Sequence, residues 1–156
     1  MTSTPTGPIT VRRAGADDLP DVAGLFGGYL DFYHRPAPAG RVLAFLRDRH
    51  ERGESVVFLA RAADGTPAGF VNVYPTFSSL SMAPVWTLND LFVAAAARRT
   101  GAGRALVRAV TEAARAAGAV AVQLQTAPDN ATAQALYRSE GFQPDAFAAY
   151  YLPLTA

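Results

Sequence analysis

The run Leu88-Asn89-Asp90-Leu91-Phe92-Val93-Ala94-Ala95-Ala96-Ala97-Arg98-Arg99-Thr100-Gly101-Ala102-Gly103-Arg104-Ala105-Leu106-Val107 changes character along its length. Leu88 to Val93 has the bulky apolar content of a buried strand. Arg104 onward begins a helix, with Ala105, Leu106, Ala109, Val110, Ala113 and Ala114 along its apolar side. Between the two lie Gly101 and Gly103, flanked by arginines. A strand, a glycine turn and a helix start make an anion site, because free N–H groups and the positive helix end converge. Glycine lets the backbone approach a phosphate closely, and guanidinium groups add charge-assisted hydrogen bonds. The competing reading is that the two glycines only make the turn.

Working outward, residues 84–93 form the strand that enters the loop and residues 103–117 the helix that leaves it. Upstream, residues 9–13 read as a short strand, and Asp17-Asp18-Leu19-Pro20 as a capped helix start. Leu19, Val22, Leu25, Phe26, Tyr29, Leu30 and Tyr33 continue at helical spacing, and a second helix covers residues 41–52. Residues 55–62 and 68–77 are strands joined by Asp64-Gly65, a hairpin signal. Downstream come a strand at 119–126, a helix at 130–140 and a last strand at 147–154. The order is β-α-α-β-β-β-α-β-α-β. It predicts an α/β (α+β) fold with a single mixed, mostly antiparallel sheet flanked by helices. Residues 1–8 read as a flexible tail and residues 9–156 as one domain, without repeats or linkers.

Composition removes several chemistries. Cysteine is absent, which excludes thiolate nucleophiles and Cys-based metal sites, and two histidines make a His-rich metal site improbable. No metal is therefore expected. A net charge of +1 is too small for a nucleic-acid footprint. No apolar run reaches the ~20 residues that span a bilayer, and the first residues lack a signal peptide's basic start and apolar core. A cytoplasmic protein is the default expectation. Two familiar phosphate loops also fall away. Leu106 stands where the dinucleotide fingerprint needs its third glycine, and a chain without lysine cannot form a P-loop.

A second segment decides between the readings of the glycines. Asn130-Ala131-Thr132-Ala133-Gln134-Ala135-Leu136-Tyr137 is followed by Gly141-Phe142. With Arg98-x-x-Gly101-x-Gly103 after a strand, it resembles the paired signatures of the GNAT superfamily of N-acetyltransferases, near its small-amine and polyamine branch. The element order is also similar to that family's over essentially the whole chain. One position departs, since members often have glycine directly after the first arginine and this chain has Arg99.

The resemblance implies acetyl-CoA as co-substrate, with its pyrophosphate at Arg98, Arg99, Gly101, Gly103 and Arg104. Its pantetheine arm would lie between two splayed strands, here residues 86–93 and 120–126. Backbone groups of Phe92 and Val93 would pair with the arm, and the Val93 amide would orient the thioester carbonyl. Asn130 would cap its helix and face the arm; a plain N-cap explains it equally. Tyr137 matches the tyrosine that protonates the leaving thiolate, against the alternative of a core residue beside Leu136.

Asp90 is an acidic residue inside an apolar strand, so it needs a cavity or a partner. It reads as a base or anchor for an amine, or as one half of an arginine pair. Tyr33, Tyr74, Asn89 and Asp90 are the expected acceptor contacts, though Tyr29, Phe32 and Tyr33 also suit core packing. Trp86 and Phe92 share strand parity with Leu88 and are expected in the core, and His34 reads as a solvated loop residue. The expected reaction is acetyl transfer to the primary amine of a small molecule, possible as a homodimer. A protein amine as acceptor, or acetyl-CoA sensing without turnover, are the alternatives.

Overall fold

In the computed structural model, which describes residues 7–155, the glycine loop joins the fourth strand of a sheet to the third α-helix. The first six residues of the expected tail lie outside the described residues. Two compact units divide the chain after Gln125. In the first, the elements are β1 (Thr10–Arg13), α1 (Leu19–Phe32), α2 (Ala39–Glu51), β2 (Val56–Arg61), β3 (Pro67–Ser78), β4 (Ala83–Val93), α3 (Ala102–Ala116) and β5 (Ala121–Leu124). The second unit contains α4 (Ala131–Ser139). Among the described residues no helix is long and apolar enough to cross a membrane.

The sheet order is β1-β2-β3-β4-β5. The first four strands pair antiparallel, and β4 pairs parallel with β5. Mixed, mostly antiparallel pairing is therefore what forms. The β2–β3 hairpin turns where expected, with Gly65 at φ 86° and Asp64 Oδ1 accepting from Thr66 N at 2.9 Å. Proline in the first turn suits α1, where an amide donor is not required. Asp18 does not cap that helix as expected. Its carboxylate accepts from Gly15 N and from the guanidinium groups of Arg12 and Arg61 instead.

Cross-strand partners share a face of a sheet. Val57, Asn72 and Asp90 form one row, and Leu59, Phe70 and Phe92 the next. This face packs on α1 and α2 through Leu19, Val22, Leu25, Val42 and Leu46. Each such fully buried side chain contributes about 1.5–3 kcal/mol. The opposite face meets α3: a Cβ on Gly69 would stand 3.3 Å from Leu106 Cδ1, and Leu106, Val107 and Val110 are fully buried.

The expected last strand is not formed. Residues 147–154 have no regular secondary structure, and Phe147, Tyr150, Tyr151, Leu152 and Leu154 are all exposed. Apolar content alone does not make a strand; the segment needs a partner to take its backbone hydrogen bonds, and Pro153 removes one donor.

Candidate functional site

β4 is the element on which the site is built. Asn72 of β3 faces Asp90, whereas the next residue, Val73, faces Leu88. Asn89 is thus an extra residue, a β-bulge. A bulge reverses the alternation of everything beyond it. Trp86 and Leu88 remain together on the α3 face, both buried. Phe92, expected to share their side, instead faces α1, where its ring would meet a Cβ on Gly28 at 2.9 Å. The same reversal carries Asp90 into the row of Val57 and Asn72.

Asp90 is buried at 4% exposure, and asparagines satisfy it. Asn72 Nδ2 donates to its Oδ2 at 2.9 Å, and Asn89 Nδ2 donates to its Oδ1 at 3.1 Å. The expected alternative, an arginine partner, is not what forms. Asn72 Nδ2 also donates to the Tyr74 hydroxyl at 3.0 Å. Burial pushes the Tyr74 phenol up from 10, helped by the Asp90 charge and opposed by the Asn72 hydrogen bond and Arg49. At neutral pH this phenol keeps its proton. Three expected acceptor residues, Tyr74, Asn89 and Asp90, therefore meet in one cluster.

Tyr33 lies among other aromatic rings. It follows α1, is 42% exposed, and its ring centre lies 4.9 Å from that of Tyr29, tilted, and 5.1 Å from that of Phe32, edge to face. Tyr29 reaches the core through Phe26 and Phe70. Core packing thus accounts for Tyr29 and not for the exposed Phe32 and Tyr33. His34 is exposed, as expected.

Pairing of β4 with β5 covers Val85 to Leu88 against Ala121 to Leu124 and stops there. From Asp90 to Val93, β4 pairs with β3 and, among the described residues, with no other strand. Its other edge leads directly to the glycine loop. A short 3-10 turn at Ala95–Ala97 follows, and Thr100 Oγ1 closes the loop by donating to Ala97 O. Arg98 Nε donates to Val93 O at 3.4 Å. Gly101, at φ 86°, opens α3 with no side chain to cap it and open space where a Cβ would be. The first amides of the helix, including that of Gly103, point from α3 beside the exposed Arg98, Arg99 and Arg104. A free strand edge running into an uncapped helix start beside three cations fits an extended amide-bearing chain that ends in phosphates.

In the second unit, Asn130 caps α4, its Oδ1 accepting from Ala133 N at 3.1 Å. Tyr137 is buried, its ring 5.7 Å from that of Phe142. Among the described residues no group of three or more His, Asp or Glu side chains could hold a metal.

Asn72 was missed from the sequence. Its signal is a lone amide in the run Phe70-Val71-Asn72-Val73, which becomes meaningful only when the register sets it opposite Asp90.

Comparison with known proteins bears on this arrangement. Residues 23–142 match the model of the Acetyltransferase (GNAT) family. The "Uncharacterized N-acetyltransferase YhfO" of Bacillus subtilis (strain 168) is 38% identical over 143 residues, covering 92% of this chain and 95% of that protein. A solved structure described as a probable acetyltransferase superposes with a TM-score of 0.89 at 38% identity, over 94% of this chain and 99% of the other. Aminoglycoside N-acetyltransferase AAC(6')-Iy, solved in complex with CoA, has a TM-score of 0.79 at 22% identity, over 94% and 95% of the two chains. This last likeness concerns the fold.

Proposed function

The chain belongs to the acetyltransferase (GNAT) family and is an acyltransferase, and from that premise we propose that it transfers acetyl from acetyl-CoA to the primary amine of a small molecule. The observation that carries this reading is the edge of β4 beyond Leu88, free on its β5 side and ending at Gly101 and the start of α3. Backbone groups at Phe92 and Val93 would pair with the pantetheine arm. The α3 start, Gly101 and Gly103, with Arg98, Arg99 and Arg104, would hold the pyrophosphate.

When bound, acetyl-CoA supplies an activated acetyl thioester. The Val93 amide donates to the acyl oxygen, where negative charge develops during attack. Tyr137 gives its proton to the leaving sulfur, and Asn130 orients the arm; both assignments rest on the segment they share. A thiol with pKa near ~8.5 is a ready leaving group, whereas a phenol near ~10 must be well positioned to serve as acid. A primary amine with pKa near ~10 arrives as an ammonium ion. Asp90 attracts it and takes its proton, directly or through water. Tyr74 and Asn89 line the same acceptor region, and Tyr33 borders it.

The test is thiol release from acetyl-CoA with purified protein and four kinds of acceptor: a polyamine, an amino acid, an aminoglycoside and a peptide with a free amine. Turnover on one of the small amines is the expected result. Turnover on the peptide alone would transfer the activity to protein amines. Stabilisation by acetyl-CoA without turnover on any acceptor would overturn the reading in favour of a sensor. A cytoplasmic location and a homodimer accompany this reading as expectations only, the dimer drawn from the family resemblance, and sedimentation as a monomer at micromolar concentration would remove the dimer.

A further inference from the structure

Asn72 is 1% exposed, and its two ends are treated differently. Nδ2 has two hydrogens and uses both, one on Asp90 Oδ2 at 2.9 Å and one on the Tyr74 hydroxyl at 3.0 Å. Oδ1 is buried and, among the described residues, accepts from nothing. Turning the amide over would not repair this, because a carbonyl oxygen would then face a carboxylate oxygen. Its orientation is fixed by the carboxylate, and the orphaned carbonyl is the consequence. A buried side chain serving only to fill space would satisfy both ends or be apolar, and leucine has nearly the same shape. What retains an amide here is its donor end.

That end does two things at once. With Asn89 on the other oxygen, it fixes the plane of the Asp90 carboxylate. By donating to the Tyr74 oxygen, it also turns the phenol's own hydrogen away, leaving it to donate elsewhere. One amide therefore sets a carboxylate and a hydroxyl donor in a fixed relation across β3 and β4.

We propose that Asn72 is a positioning residue of the acceptor site, holding Asp90 and Tyr74 in the arrangement that receives the amine; this rests on the acetyl-transfer reading above. Asn72 acts through both neighbours and touches no reacting atom.

Two variants test it, Asn72→Leu and Asn72→Ser. The first removes the donor and fills the space. The second keeps a single donor hydrogen, which can serve Asp90 or Tyr74 but not both. For both, kcat/KM for the amine should fall about tenfold or more, while KM for acetyl-CoA stays unchanged. Stabilisation by acetyl-CoA reports that each variant is folded. Wild-type kcat/KM in either variant would overturn the proposal. Failure of Asn72→Leu to fold leaves Asn72→Ser to decide, and failure of both would make Asn72 a structural residue only. Absence of turnover in the wild type would instead sink the acetyl-transfer reading itself.

Discussion

Arg99 and Gly101 both take the left-handed backbone region, at φ 64° and 86°, but only one of them is a residue suited to it. A side chain there costs about 1–2 kcal/mol through crowding of Cβ against the backbone. Arg99 stands where the family resemblance leads one to expect glycine, so the loop carries that strain with a guanidinium beside the start of α3. Arg99→Gly should therefore stabilise the protein by about 1 kcal/mol in urea denaturation and weaken acetyl-CoA binding by less than about tenfold. Gly101→Ala, with the same backbone requirement and no strain to relieve, should destabilise by about 1 kcal/mol. Changes of the same sign in the two variants would show that φ is not what governs this loop. At Tyr137 the prediction concerns rate. Loss of the phenol proton in Tyr137→Phe should lower kcat about 10²–10⁴-fold with acetyl-CoA affinity retained. A wild-type kcat would remove Tyr137 from acid catalysis.

At the scale of elements, β4 is held against β3 more closely than most side chains allow. A Cβ on Gly69 would lie 2.7 Å from the Phe92 carbonyl oxygen, which is backbone and cannot swing aside. Gly69→Ala should cost about 1–3 kcal/mol, read as a lowered urea midpoint. An unchanged midpoint would mean that the β3–β4 pairing at Phe92 is looser than its register implies. Much of this element was legible beforehand. Bulky apolar residues marked the strand, and Gly101 marked the turn because a positive φ demands it. The bulge at Asn89 was not legible, since one extra residue leaves no compositional trace yet sends Phe92 and Asp90 to the other face. Asn72 was hidden for the same reason: its partner is set by register, a property of two strands together. The segment from Phe147 to Leu154 failed in the opposite way. Its aromatic and aliphatic residues are the content of a strand, but strand formation depends on a neighbour that local sequence does not describe.

Over the first unit as a whole, the buried carboxylate of Asp18 ties β1, β2 and the start of α1 together. Arg12 Nη2 lies 2.6 Å from its Oδ1 and Arg61 Nη2 3.3 Å, while Arg61 also reaches Asp21 at 2.7 Å. Burial raises the Asp18 pKa, but the Gly15 N–H and the two guanidinium groups more than offset this and bring it below the ordinary 3.8. The sign follows from linkage. A carboxyl whose folded pKa is depressed contributes stability that is fully present above 3.8 and is lost as pH falls through the lower folded value. Asp18→Asn removes this contribution and leaves donors short of a charged acceptor, so it should destabilise by about 1–3 kcal/mol at pH 7. As pH falls below 3.8 and through the lower folded value, the wild-type carboxyl is itself protonated, and the difference between the two proteins should narrow. Urea denaturation of both at pH 7 and along a descending series of acidic pH measures it directly. A gap that stays constant down the whole series would mean that the ionised form of Asp18 does not stabilise the fold, and that packing around the side chain, rather than its charge, joins these three elements.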